Sequence, residues 1–165
     1  MGAGKSSIGR CLQQRTGLVR FDTDEIVASK FGMSIAEIFS KYGEERFREA
    51  ETEALRELAP AQQAIIVTGG GIVLREENVD LLKRLGAVVW LEADEETLFK
   101  RATRKGDRPL LQTANPREAF SEMWRARRPL YAKMADVRVD ASAFTHDEVV
   151  DKILIEIENL RALQR

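Results

Sequence analysis

Glycines at 2 and 4, lysine at 5 and serine at 6 carry the back half of the phosphate-binding pattern G-x-x-x-x-G-K-[ST]. In such a turn, glycine lets successive backbone N–H groups face a phosphate, and the positive end of the following helix adds attraction. Gly2, Ala3, Gly4 and Ser7 would line the cradle. Lys5 would reach the β- and γ-phosphates of a nucleotide, and the Ser6 hydroxyl would ligate Mg²⁺. A bare G-K-S recurs by chance in flexible Gly-rich segments. Here apolar Ile8, Cys11 and Leu12 follow at helical spacing, which favours the phosphate reading.

Asp22-Thr-Asp24 follows the apolar stretch Leu18–Phe21. If the segment is extended, residues i and i+2 point to the same side, and both carboxylates face one site. Beside a phosphate–Mg²⁺ site they divide the work. One holds metal-bound water, and the other accepts a hydrogen bond from a hydroxyl attacking phosphorus. Capping of the next helix by Asp24 accounts for one aspartate but not for both. Arg48 has Glu44 at i−4 and Glu51 at i+3, good spacings for ion pairs on a solvated helix. The same glutamates can fix an arginine that clamps a ligand carboxylate. Gly69-Gly-Gly71 ends an apolar run, Arg108 lies in the longest loop, and Arg127-Arg128 lies near the end of a helix. Basic loops that cover transferring phosphates act as lids. His146 has no metal-ligand pattern around it and reads as a helix start.

The elements that would position these residues alternate. Strands are expected at 18–21, 64–67, 87–91 and 137–140, and helices at 25–31, 44–58, 77–85, 94–104, 117–134 and 146–163, with a loop at 106–116. Ser34 and Glu37 have capping-box spacing for a short helix that Gly43 separates from the next. Strand–helix alternation indicates an α/β fold with a parallel sheet, which binds ligands at the carboxyl ends of its strands. The 165 residues suit one domain, 1–165, with a lid at about 105–116. With 26 Lys and Arg against 27 Asp and Glu, the chain is not a globally basic nucleic-acid binder. Ten basic against three acidic side chains between 99 and 133 instead point to a small polyanion. One cysteine excludes a disulfide framework, and the apolar runs are too short to span a bilayer. A cytoplasmic monomer with neither nucleic-acid nor membrane partners is expected.

In order and spacing these motifs resemble the shikimate kinase family. The likeness runs along essentially the whole chain. It rests on Met-Gly-Ala-Gly-Lys-Ser at 1–6, Phe-Asp-Thr-Asp at 21–24, Ile-Ala-Glu-Ile-Phe at 35–39 and Gly-Glu-Glu-Arg-Phe-Arg-Glu at 43–49. Val-Thr-Gly-Gly-Gly at 67–71, Arg-Pro-Leu-Leu at 108–111 and Arg-Arg-Pro-Leu-Tyr at 127–131 complete it. The resemblance implies a three-layer P-loop kinase fold and ATP-dependent phosphorylation of the 3-hydroxyl of shikimate, with Mg²⁺. Asp24, Arg48, Gly70 and Arg127 would bind shikimate. Asp24 would meet the reacting hydroxyl, the two arginines would grip the carboxylate, and Gly69 and Gly71 would allow close approach. Asp22 would serve Mg²⁺ through water, and Phe39 and Phe47 would wall the pocket. Arg108 would close over the phosphates, catalytic with Asp24 and Lys5, and Arg101 would stack near the adenine.

The sequence departs from the family's pattern twice. The loop at 141–145 reads Ala-Ser-Ala-Phe-Thr where many relatives carry a basic residue. The first glycine of the phosphate loop and the strand leading to it are not found ahead of Gly2, so a sheet lacking its first central strand is expected. A longer natural product with an apolar strand upstream is one expectation, and a truncated, unstable product the other. A gluconate-type or nucleotide kinase and a non-catalytic nucleotide-binding paralogue remain as competing functions.

Overall fold

The structure, a computed structural model, describes residues 2–58, 62–104 and 109–163. Helix α1 (Lys5–Thr16) leads into β1 (Val19–Asp22), α2 (Thr23–Phe31) and α3 (Ile35–Glu57). Then come β2 (Ala64–Val67), α4 (Glu76–Leu85), β3 (Val89–Glu92), α5 (Glu95–Thr103), α6 (Pro116–Met134), β4 (Val137–Asp140) and α7 (His146–Leu163). Single 3₁₀ turns at Ile72–Leu74 and Pro109–Leu111 fall where loops were expected. Their three-residue length leaves no periodicity to detect. No helix among the described residues is long and apolar enough to cross a membrane.

All the strand pairing is parallel. β1 runs beside β2, Val19 opposite Ala64 and Asp22 opposite Val67. β3 runs beside β4, Val89 opposite Val137 and Glu92 opposite Asp140. Among the described residues no ladder joins the two pairs. One expectation is corrected: the wholly apolar β2 is not buried along its length, since only Val67 is fully covered. Among the described residues β2 has a ladder along one edge only. Helix α1 holds both pairs. Its Gly9 lies against the Val67 side chain, and Ile8 shares a buried cluster with Leu91, Leu98, Val139 and Val149.

A second cluster, with Leu55, Ile72, Leu82 and Met134, packs α3, α4 and α6 beneath the first pair. A third, with Val27, Ile38, Phe47 and Ala54, joins α2 to α3. The start of α3 carries the expected capping box. Ser34 Oγ accepts from the Glu37 N–H at 3.3 Å, and Glu37 Oε2 accepts from the Ser34 N–H at 2.8 Å. At Gly43 the helical path breaks (φ 80°, ψ 171°), as the sequence implied. The residues after the break, which carry Arg48 and Glu51, thus take a direction of their own.

Candidate active site

Helix α2 begins two residues earlier than expected. Asp22 is its N-cap, and Asp22 Oδ1 accepts from the Asp24 N–H at 3.1 Å. The capping aspartate is therefore Asp22 rather than Asp24, and 22–24 is a strand-to-helix corner, not an extended triplet. Asp22 is buried and its Oδ2 accepts from Arg20 at 3.2 Å. Asp24 stands in the first turn of α2, half-buried, with its Oδ1 toward the glycine turn.

That turn is stitched to both neighbours. The Gly69 N–H donates to Thr23 Oγ1 at 3.3 Å, and the Gly70 carbonyl accepts from the Tyr131 hydroxyl at 2.5 Å. A Cβ at 69 would stand 2.5 Å from Glu51 Oε1 and 2.8 Å from Asp24 Oδ1. A Cβ at 71 would collide with the Arg48 guanidinium. Glycine is required here by close approach to charged groups, since no described residue of the turn has positive φ.

Arg48 is 7% exposed, which decides against a solvated helix pair. Its Nε and Nη2 donate to Glu44 Oε1 at 3.1 and 2.8 Å, and its Nη1 donates to Glu51 Oε2. Its guanidinium also lies 5.2 Å over the Phe47 ring, which itself stands 4.7 Å from Phe39. Burial opposes the charge of Arg48, but Glu51 and Glu44 outweigh it and hold the group above its ordinary range. Glu51 is wholly buried, and its Oε1 makes no hydrogen bond. Burial pushes its carboxyl above the usual carboxylate range, with the Asp24 charge adding to the shift and Arg48 opposing it.

Arg127 on α6 is equally buried, also at 7% exposure. Burial presses its pKa down, Tyr131 partly offsets this, and the like charge of Arg48 presses it further. Two desolvated guanidiniums near one another are costly without an anion between or beside them. Tyr131, one helical turn after Arg127, was not assigned a role from sequence. The signal available was its i+4 spacing, which puts both side chains on one face.

The structure thus brings Asp24, Arg48, Gly69, Gly70, Gly71 and Arg127 together with Glu51 and Tyr131. The phosphate-loop residues lie at the head of α1. Ala3 packs in the cluster with Leu91 and Ala93, and Gly2 sits against the Leu98 carbonyl of α5. Gly4 precedes α1 at φ 81°, a conformation that favours glycine. The first turn of α1 has no side-chain cap and no acidic residue. Its amides, with Lys5 half-buried and Ser6 exposed beside them, suit the phosphates of a nucleotide and the hydroxyl-and-water ligation of Mg²⁺. Arg101 donates to the Ala141 and Ser142 carbonyls, at 2.8 Å each, pinning the loop after β4. Arg108 lies outside the described residues. Leu111, three residues on, is buried in the first cluster.

Comparison with known proteins gives the chain's family. The family model described as shikimate kinase matches residues 1–158. A shikimate kinase from Thermodesulfovibrio yellowstonii is 43% identical over 97% of this chain and 92% of its own. A solved shikimate kinase from Acinetobacter baumannii, in complex with shikimate, superposes with a TM-score of 0.91 at 35% identity, covering 96% of this chain and 89% of that one. A gluconokinase from Sinorhizobium meliloti (TM-score 0.64, 20% identity, covering 100% of this chain and 93% of that one) shares the fold alone. Matched by that family model over nearly its whole length and 43% identical to such a relative, the chain belongs to the shikimate kinase family.

Proposed function

We propose that the protein transfers the γ-phosphoryl group of ATP to the 3-hydroxyl of shikimate, giving shikimate 3-phosphate and ADP. The observation that carries this reading is a pair of buried guanidiniums, Arg48 against the glycine turn beside Asp24, and Arg127 close enough to feel the charge of Arg48. A ring bearing one carboxylate and a hydroxyl offset from it fits that arrangement: two cations for the carboxylate, one carboxylate for the hydroxyl. Arg48 arrives pre-aimed, because Glu44 and Glu51 hold it from two sides.

In the reaction the 3-hydroxyl oxygen bonds to the γ-phosphorus as the bond to the β–γ bridging oxygen breaks. The hydroxyl proton passes to Asp24 Oδ, and ADP leaves. Gly2, Ala3, Gly4 and Ser7 cradle the phosphates, and Lys5 offsets their charge. Ser6, with Asp22 acting through water, would hold Mg²⁺, which supplies further neutralisation of the phosphate oxygens when bound. Gly69–Gly71 let the backbone approach the substrate ring, and Phe39 and Phe47 form the apolar wall. Arg101 borders the adenine end, and Arg108 closes over the phosphates. The protein is proposed to act as a monomer in the cytoplasm.

The test assays purified protein with ATP and shikimate, and in parallel with gluconate, following ADP release and the new phosphate ester by phosphorus NMR. Phosphorylation of shikimate alone is expected. Turnover of gluconate in preference, or nucleotide binding with no turnover of either, would remove the reading.

A further inference from the structure

Tyr131 has a part in the site that its ring packing does not require. Its ring lies among apolar and aromatic neighbours, 6.0 Å from Trp90 and 6.4 Å from Trp124. Its hydroxyl, however, points away from them to the Gly70 carbonyl, 2.5 Å distant. Arg127 stands one helical turn before it on α6, and its charge acts on the same phenol. A carbonyl has no donor, so the phenol spends its single proton on Gly70. Arginine has no acceptor, so what the phenol turns to Arg127 is a lone pair. Burial keeps that phenol protonated, since it raises the pKa, with Arg127 and Arg48 only partly opposing.

A trans peptide carries its C=O and N–H on opposite sides. Holding the Gly70 carbonyl toward α6 turns the N–H of Gly71, the other end of the same peptide, away from α6. The glycine turn has no side chains of its own with which to lock that orientation. Thr23 Oγ1 holds it from the α2 side, at the Gly69 N–H. On the α6 side, Tyr131 is the described residue that holds it.

We propose that Tyr131 is a positioning residue whose hydroxyl couples Arg127 to the glycine turn, so that the carboxylate-gripping arginine and the backbone that approaches the substrate ring are set as one unit. The coupling to substrate rests on the shikimate reading above; the latch on the turn does not.

Tyr131→Phe keeps the ring and removes the hydroxyl. Two readouts separate the latch from the substrate. First, without any ligand, amide hydrogen exchange at residues 69–71 should accelerate about tenfold, the equivalent of one ordinary hydrogen bond, while α1 and the β3–β4 pair exchange as before. Second, shikimate Kd and KM should rise about tenfold, with the KM for ATP moving less than about twofold. In an Arg127→Ala background the same change should cost little more, because the two residues act as a unit. Unchanged exchange at 69–71 overturns the latch, whatever the substrate proves to be. A parental protein that neither binds nor turns over shikimate overturns the substrate reading, and exchange still decides the latch. Parallel loss of both substrates' affinity, additive losses in the double variant, or a protein too unstable to fold would make Tyr131 merely structural and overturn the proposal.

Discussion

Asp24 and Glu51 are two carboxylates a short distance apart with opposite environments. Asp24 is half-buried at a helix start, whereas Glu51 is wholly buried. Asp24→Asn should therefore lower kcat by roughly 10²–10⁴, the usual contribution of a positioned base. Steady-state rates on a variant with parental thermal unfolding check this, and near-parental turnover would remove Asp24 from the chemistry. Arg127→Ala should weaken shikimate binding by about 1.5–3 kcal/mol, the range of a charge-assisted hydrogen bond, and leave ATP affinity almost unmoved. Titration of each ligand separately decides it; equal losses would assign Arg127 to the nucleotide or the fold. Glu51 predicts a pH effect of unusual sign. Burial raises its carboxyl in the folded state, so the folded protein binds that proton more tightly than the unfolded chain does. Stability from this group is present below the ordinary carboxylate pKa. It is lost as pH rises from there through the raised value. The melting-temperature advantage of the parent over Glu51→Gln should shrink across that window. An advantage that grows with pH would show that Arg48 overrides burial.

At the scale of elements, helices with caps and breakers were readable from the chain. Ser34 and Glu37 announce α3 and Gly43 its break, whereas α6 starts at Pro116, one residue before the expected helix and inside the expected loop. The corner at Asp22 was misread because an Asp-x-Asp after a strand serves equally as an extended pair or as an N-cap opening a helix. The capping bond from the Asp24 N–H to Asp22 Oδ1, in a helix that starts at Thr23, distinguishes the two. Arg48 was legible as an ion-paired residue, but its burial was not, since burial depends on which residues the glycine turn brings against it. Tyr131 escaped for the same reason: its partner, the Gly70 carbonyl, is a backbone atom 61 positions away. The loop before α6 yields a kinetic expectation. Leu111 is buried in the core, and Arg108, outside the described residues, is expected from the family resemblance to meet the phosphates. Arg108→Ala should lower kcat more than it raises either KM, as befits a contact made chiefly on closure. An unchanged kcat in a folded variant would exclude it.

The whole molecule is governed by the division between its strand pairs. Among the described residues, two half-sheets joined through helix packing leave each strand, β2 and β3 included, with a ladder along one edge only. An extended apolar segment of about five or six residues ahead of Gly2, ending in glycine, should pair into that division. Such an added strand contributes several kcal/mol, so the melting temperature should rise by about 10 °C or more at roughly 2–4 °C per kcal/mol. Phosphorylation of shikimate should rise with it. Equal melting temperatures and activities for the two forms would mean that the described packing suffices.

Helix α1 touches both halves, Gly9 against β2 and Ile8 in the cluster that holds β3, and its open first turn is where phosphates would bind. A nucleotide held there more tightly when the halves are united would link its occupancy to their union. Any anion that prefers the assembled arrangement adds RT ln(1 + [L]/Kd) to its stability. For this chain a nucleotide would act as a fastener as well as a reactant. The fraction of molecules competent to meet shikimate would then depend on the nucleotide concentration around them.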